Sequence, residues 1–504
     1  MKRSCRQSPQ VLLLLLAAVG VLFAALASCV QATVPLEQTR QTSQLGDPRT
    51  MKFDPVTFTV PEVERVVLDN GIIVYLLPNP ELPLVTISAM IRTGTIYEPA
   101  EKVGLAGLAG TVMRTGGTAR MTGDQIDEEL EFLAASVSVG IGEEAGSATL
   151  DILKKDLPRG LSIFADILRA PAFDQAKVEL AKRQTLEAIR RRPDSPAGIA
   201  AREFRKLLYG ADHPFGREST VETVSRITRD DLVAFHRQFL SPNGLMLGVT
   251  GDFEKPAMLE VIRKAFGDWQ PQTVTLPTIP PVTASSNSIA AGGPGSSRSV
   301  NILRRDITQT HLRVGHLSVR ESDPDYFALA LVDDILGNNS FTSRLFRDVR
   351  TRQGLAYSVG SALLPGNLGP GVFVMQALTK GPTTHQALTS MLAHMEQMRQ
   401  EPVSDEELQH AKDAFLNSFV FSFADPGQIV GRLMALEYHG LPSDFLQQFR
   451  DSVVRLTKED LIRVARRHLH PDRVIILAVG KDDTFDKPLT TFGQVNVLTL
   501  NPGG

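Results

Sequence analysis

Residues 227–252, "ITRDDLVAFHRQFLSPNGLMLGVTGD", align without a gap on residues 456–481, "LTKEDLIRVARRHLHPDRVIILAVGK", so that Ile227 falls on Leu456, Leu232 on Leu461, Pro242 on Pro471 and Gly251 on Gly480. Each copy reads as a Thr N-cap, an amphipathic helix, a Pro-containing turn and a buried strand, "LMLGV" in one and "VIILAV" in the other. A chain that carries this unit twice contains two copies of one fold of roughly 220 residues. Between them, residues 270–299, "QPQTVTLPTIPPVTASSNSIAAGGPGSSRS", are dense in Pro, Gly, Ser and Thr, which is the composition of a linker.

Working outward, the first copy reads as strands within "VERVVLDNGIIVYLLP" and "PLVTISAMIRTG", with helices near 103–115, 123–135, 156–169 and 174–191. The second reads as a strand at "THLRVGHLSV", helices over 323–336 and at "SRLFRDVRTR", and a strand at "LAYSVGSALL". Helices mixed with mostly antiparallel strands in both halves predict α+β sandwiches. The expected order is a first domain over 54–269, the linker at 270–299 and a second domain over 300–504.

The chain has 504 residues, 42% hydrophobic and 22% charged, enough for more than one core. A formal net charge of −3 without a clustered basic footprint argues against nucleic acid as a partner. At the N-terminus, Lys2, Arg3 and Arg6 precede the apolar run "VLLLLLAAVGVLFAALA", which reads as an export signal, with an uncleaved anchor as the alternative. The following "LASC" resembles the lipobox of bacterial lipoproteins. It predicts a signal over 1–28, a lipid on Cys29, a polar tether over 29–53, and a periplasmic protein anchored to a membrane. Cleavage after Ala32 would instead discard Cys29. Cys5 and Cys29 are the only cysteines, so the mature chain has no internal thiol pair. Loss of Lys2, Arg3 and Arg6 with no acid takes the formal net charge from −3 to −6.

The stretches "DNGIIVYLLPNPELPLVTISAMIRTGTIYEP", "KVGLAGLAGTVMRTGGT" and "SDPDYFALALVDDILGNNSFTSRLFRDVRTRQGLAYSVGS", with the repeat and linker, resemble the pitrilysin/insulinase family of zinc metallopeptidases, the inverzincins. That family includes mitochondrial processing peptidase and bacterial heterodimeric relatives. The resemblance implies two homologous mixed-sheet and helix sandwich domains forming a clamshell that holds unfolded peptides. Active members carry H-x-x-E-H on a helix, where residues at i and i+4 share a face and two His bind one zinc ion. The intervening Glu serves as general base, and a further Glu downstream completes the site.

Carried over residue by residue, the pattern puts Gly107 and Thr111 at the two His, Gly110 at the catalytic Glu, and Glu187 or Ala188 at the distal ligand. No metal is expected in this chain. None of its ten histidines pairs with another at i, i+4, and His468 and His470, the nearest two, read as part of a solvated turn. What the resemblance retains is an Arg and a Tyr seven residues apart, Arg350 and Tyr357, which in active members bind substrate backbone and support the transition-state oxyanion. Arg350 is expected to close a helix and Tyr357 to sit on the following strand; structurally, Arg350 could cap helix carbonyls and Tyr357 pack, with Arg344 and Arg347 as solvated neighbours. Some family members are heterodimers in which one subunit holds the zinc and the other lends the Arg/Tyr pair. The resemblance therefore implies a non-catalytic, substrate-binding subunit whose partner is a homologue with intact H-x-x-E-H and its zinc. A peptide-binding scaffold without proteolysis, or a lone peptidase with another site, are the alternatives. The glycines at 104, 107 and 110 either admit another backbone, leave open space, or are the result of drift after the metal was lost.

Overall fold

The computed structural model describes residues 61–282, 298–339, 341–421, 423 and 425–500. The signal, Cys29 and the tether lie outside them. The first half runs β1 (Glu64–Val67), β2 (Ile73–Pro78), β3 (Leu84–Ile91), α1 (Leu105–Thr115), α2 (Gly123–Phe132), β4 (Ser136–Ile141), β5 (Gly146–Leu153), α3 (Leu157–Arg169), α4 (Gln175–Arg191), α5 (Pro196–Tyr209), α6 (Val221–Ser225), α7 (Arg229–Phe239), β6 (Leu245–Gly251) and α8 (Lys255–Phe266). The second runs β7 (Ser299–Arg304), β8 (Gln309–Ser318), α9 (Tyr326–Asp333), β9 (Ala356–Leu364), β10 (Gly371–Lys380), α10 (Thr384–Gln400), α11 (Asp405–Phe421), α12 (Pro426–Tyr438), α13 (Phe445–Arg455), α14 (Lys458–His468), β11 (Ile475–Gly480) and β12 (Val495–Leu498). Among the described residues no helix is long and apolar enough to cross a membrane.

The repeat is visible in the sheets, ordered β1-β2-β6-β3-β5-β4 and β12-β7-β11-β8-β10-β9. In each, the strand that ends the repeated unit, β6 or β11, lies at the centre, parallel to one neighbour and antiparallel to the other. Its position explains its apolar run, since a strand covered on both faces has no polar side to alternate. The preceding helices, α7 and α14, carry matching capping boxes, Thr228 with Asp231 and Thr457 with Asp460. Only the outer strands differ: β1 is antiparallel to β2, whereas β12 is parallel to β7.

Each half lends a helix to the other. α5 lays Ile199, Ala200, Phe204 and Leu208 on the second sheet, against Leu303, Val374, Ile475, Leu477 and Val479. Its counterpart α12 lays Ile429, Val430 and Met434 on the first, against Tyr75, Leu77 and Met246. Polar contacts repeat the exchange: the Tyr209 hydroxyl donates to Pro370 O at 3.0 Å, and the Tyr438 hydroxyl to Glu144 O at 2.6 Å. Both acceptors sit in the loop joining the last two strands toward one edge of the opposite sheet. Neither helix is in the sequence reading. In each the proline that looks like a breaker, Pro196 or Pro426, occupies the first helical turn behind a Ser195 or Asp425 cap. Within the stretch read as linker, Val274, Leu276 and Ile279 pack against the core of the first half.

Candidate functional site

α1 begins behind Gly104, whose φ of +109° suits glycine. The Glu98 carboxylate accepts from the amides of Gly104 at 3.1 Å and Ala106 at 2.6 Å, satisfying donors that a helix start leaves free. Burial pushes Glu98 up to about 7, against the pull of those two bonds. Along α1, Leu105, Ala106, Leu108, Ala109, Val112 and Met113 are buried, and Gly107 and Thr111 share the exposed face.

The three positions that would hold two ligands and a base differ in kind. A Cβ on Gly107 would meet nothing within 4 Å. Thr111 donates its hydroxyl back to Gly107 O at 3.0 Å. A Cβ on Gly110 would lie 3.1 Å from Ile141 N and 3.3 Å from Gly140, because α1 presses on the backbone of β4. Arg114 fixes that contact by donating to Val137 O at 2.8 Å. So Gly107 leaves open space while Gly110 admits another backbone. On α4, Ala188 and Glu187 are exposed, and Glu187 is held by Arg191 at 2.9 Å. These residues do not fit a zinc ion: they offer a hydroxyl already used and one carboxylate already paired, with no imidazole.

Among the described residues the only group spaced like metal ligands is Asp323, Asp325 and His468. Asp325 accepts from Arg463 and Arg467, each at 2.9 Å, and from His468 at 2.8 Å. Burial raises its carboxyl, yet His468 and Arg463 hold it below the usual range. Two guanidinium groups occupy the charge a metal would need, so this is a clamp between α9 and α14. His468 and His470 are therefore not a solvated turn: His470 packs against His316 with ring centroids 5.2 Å apart. Burial pushes both of those rings down to about 4.

Arg350 and Tyr357 are brought together. α9 continues into a π-helical turn, Asp334–Asn338, and a second π-helical segment, Phe346–Arg352, carries Arg350. Gly354, at φ +65°, then turns the chain into β9, where Tyr357 sits. The Arg350 guanidinium stands 4.6 Å from the Phe346 ring and 5.7 Å from the Tyr357 ring. Tyr357 is 73% exposed and Phe341, which packs edge-on against Phe346, 75%. Among the described residues Arg350 thus caps no carbonyls, and Tyr357 does not pack into a core. The pair forms a stacked, outward-facing cation–aromatic surface. Arg344, read as a solvated neighbour, is instead ion-paired with Glu407 through two contacts of 2.7 and 2.8 Å; Arg347 is exposed.

β9 is held from its edge. Asp333 accepts from the Ser361 hydroxyl at 2.5 Å and the Leu363 amide at 2.8 Å. Gly337 lies so close to Ser361 that a Cβ would fall 2.4 Å from its nitrogen. Glu98 shapes the start of α1, and Asp333, Asp348 and His394 shape the surroundings of Arg350 and Tyr357; no motif in the sequence singles out any of the four. Asp348 stands two residues before Arg350 in a stretch already singled out, but its partner His394 is 46 residues away.

Residues 74–204 match the family model described as insulinase (peptidase family M16), and residues 226–415 that described as peptidase M16 inactive domain. The chain is 23% identical over 354 residues to an uncharacterized zinc protease of Streptomyces coelicolor, covering 69% of this chain and 75% of that one. It is 24% identical over 425 residues to an uncharacterized zinc protease of Mycobacterium tuberculosis, covering 84% and 94%. Among solved structures, the peptidase M16 inactive domain from Pseudomonas fluorescens superposes with a TM-score of 0.73 at 24% identity, over 84% of this chain and 98% of that one. The periplasmic protease PqqL from Escherichia coli gives 0.70 at 15% identity, over 86% of this chain but 47% of its own. With two family models matching in order along a doubled α+β fold, and with no H-x-x-E-H in its sequence, the chain belongs to the insulinase family of peptidases, M16, as a member that lacks the zinc motif.

Proposed function

We propose that this chain is the non-catalytic, substrate-binding subunit of a two-subunit zinc metallopeptidase that cleaves unfolded peptides in the cell envelope. In this reading the zinc and general base come from a homologue with intact H-x-x-E-H. The observation that carries it is the contrast between two surfaces of one molecule: the ligand face of α1 is bare, while Arg350 and Tyr357 are stacked and turned outward. A guanidinium and a phenol can donate to a substrate carbonyl and to the oxyanion that forms from it. The match to 47% of the longer PqqL chain supports the same arrangement, since about half of that polypeptide lies beyond a unit of this kind. A lipid on Cys29 would tether the assembly to the membrane.

The test is to mix this chain with an H-x-x-E-H homologue from a neighbouring reading frame and follow an unstructured fluorogenic peptide. Chelator-sensitive cleavage is expected. Arg350→Ala is expected to lower kcat by about 10²–10³-fold, the range for loss of one oxyanion donor, and Tyr357→Phe to lower it as well. Activity unchanged by either substitution refutes these roles. A mixture that binds but never cleaves would make the chain a scaffold instead.

A further inference from the structure

We infer that Asp348 and His394 are positioning residues that set the place of Arg350, and through it the Arg350–Tyr357 surface. This rests on the role proposed above for that surface. The Arg350 guanidinium makes no hydrogen bond or ion pair among the described residues; aromatic rings alone hold it. Its position therefore follows the backbone on which it rides. That backbone is a π-helical segment, an uncommon conformation that persists where its surroundings hold it.

Asp348 supplies the holding contacts. It lies in the same segment and accepts from His394 Nε2 at 2.7 Å, Arg352 Nε at 2.6 Å and Gln353 Nε2 at 2.9 Å. His394 belongs to α10, and Gln353 also donates to Ser390 of α10 at 3.2 Å. The segment and the residue after it are thus fastened to a long neighbouring helix through the Asp348 carboxylate and the Gln353 amide. Asp348 and His394 are only 13% and 16% exposed. Burial raises the Asp348 carboxyl, but His394, Gln353 and Arg352 hold it below the usual range, so it remains an ionised acceptor. His394 has no partner for Nδ1 among the described residues, which leaves Asp348 as the one polar contact that orients its ring.

Two readouts test the inference. In the full chain alone, the side-chain ¹⁵N resonance of Arg350, assigned by its loss in Arg350→Lys, reports stacking on Phe346 and Tyr357 through ring-current shifts. His394→Phe, which keeps a ring but no donor, is expected to collapse that shift. His394→Gln, whose amide can still donate to Asp348, is expected to restore it. Should His394→Phe fail to fold, Asp348→Asn reads the same resonance and is expected to move it. An Arg350 resonance unmoved by these substitutions overturns the inference.

In the two-subunit mixture, His394→Phe is expected to lower kcat by about tenfold, within the range that misplacement of a reacting group produces. His394→Gln should remain within about threefold of the parent, and in an Arg350→Ala background His394→Phe should change kcat by less than about twofold, because the two substitutions act on one element. An equal loss in both backgrounds also overturns the inference. If Arg350→Ala leaves cleavage intact while the resonance still moves, the positioning stands and the proposed function fails.

Discussion

The Glu98 carboxyl is almost out of reach of water, and its ionisation is linked to folding. In the unfolded chain it ionises near its ordinary 4.5; in the folded chain burial raises it to about 7. Between those values the folded state keeps a proton that the unfolded state has lost, so this group's contribution to stability falls as pH rises from about 4.5 to about 7. The span corresponds to a few kcal/mol at most, on the order of 1.4 per unit. Glu98→Gln removes the titration but leaves one of the two capped amides poorly served. The variant should be less stable than the parent at pH 5, and the gap should close or reverse by pH 8, read as urea midpoints across that range. Parallel curves would show that Glu98 is not the titrating group. The glycines of α1 separate in the same assay. Gly107→Ala meets open space and gains helix propensity, about 0.5–1 kcal/mol. Gly110→Ala needs β4 to give by a few tenths of an ångström, which offsets the gain in helix propensity, so it should be the less stable of the two. Equal effects at 107 and 110 would place the helix farther from the strand.

At the level of elements, the exchanged helices fix what each sheet can carry. Gly248, in the centre of the first sheet, leaves room for α12: a Cβ there would lie 2.4 Å from Val430 Cγ1 and 2.6 Å from Met434 Sδ. Gly248→Val should lift α12 from the sheet, costing about 1–3 kcal/mol. Amide exchange should then accelerate in α12 but not in α5, and uniform acceleration along the chain would argue against the local contact. The central strands and their capped helices were legible in sequence because a run such as "LMLGV" behind a Thr cap has one sensible reading, and it occurred twice. The exchange was not legible, because an amphipathic stripe on α5 or α12 says that a sheet covers it, not which one. The site divides likewise. That Gly107, Gly110 and Thr111 share one helix and that Arg350 stands beside Tyr357 could be read from the motif. That Gly110 abuts β4, or that Asp348 finds His394 across α10, depends on packing between segments remote in sequence. The π-helical turns look like ordinary helix in the sequence, since segments of 5 and 7 residues are too short for a wider turn to show in the apolar spacing.

For the molecule as a whole, the exchange means that the covalent link between the halves is dispensable once they have folded together. Separating them would strip α5 from the second sheet and α12 from the first, exposing Ile199, Phe204 and Leu208 with Leu303, Val374, Ile475, Leu477 and Val479, and Ile429, Val430 and Met434 with Tyr75, Leu77 and Met246. At about 1.5–3 kcal/mol for each large apolar side chain fully buried, these faces together outweigh the roughly 4–15 kcal/mol lost when two bodies become one. The ion pair of Arg65 with Glu437 at 2.7 Å adds a contact across the same boundary. A protease sequence inserted between Ser286 and Asn287, then cut, should therefore yield two fragments that still elute as one particle with the parent's circular dichroism. They should part only in denaturant, in the same transition that unfolds the uncut chain. Fragments that separate in plain buffer would show that the linker, rather than the exchanged helices, keeps the halves together.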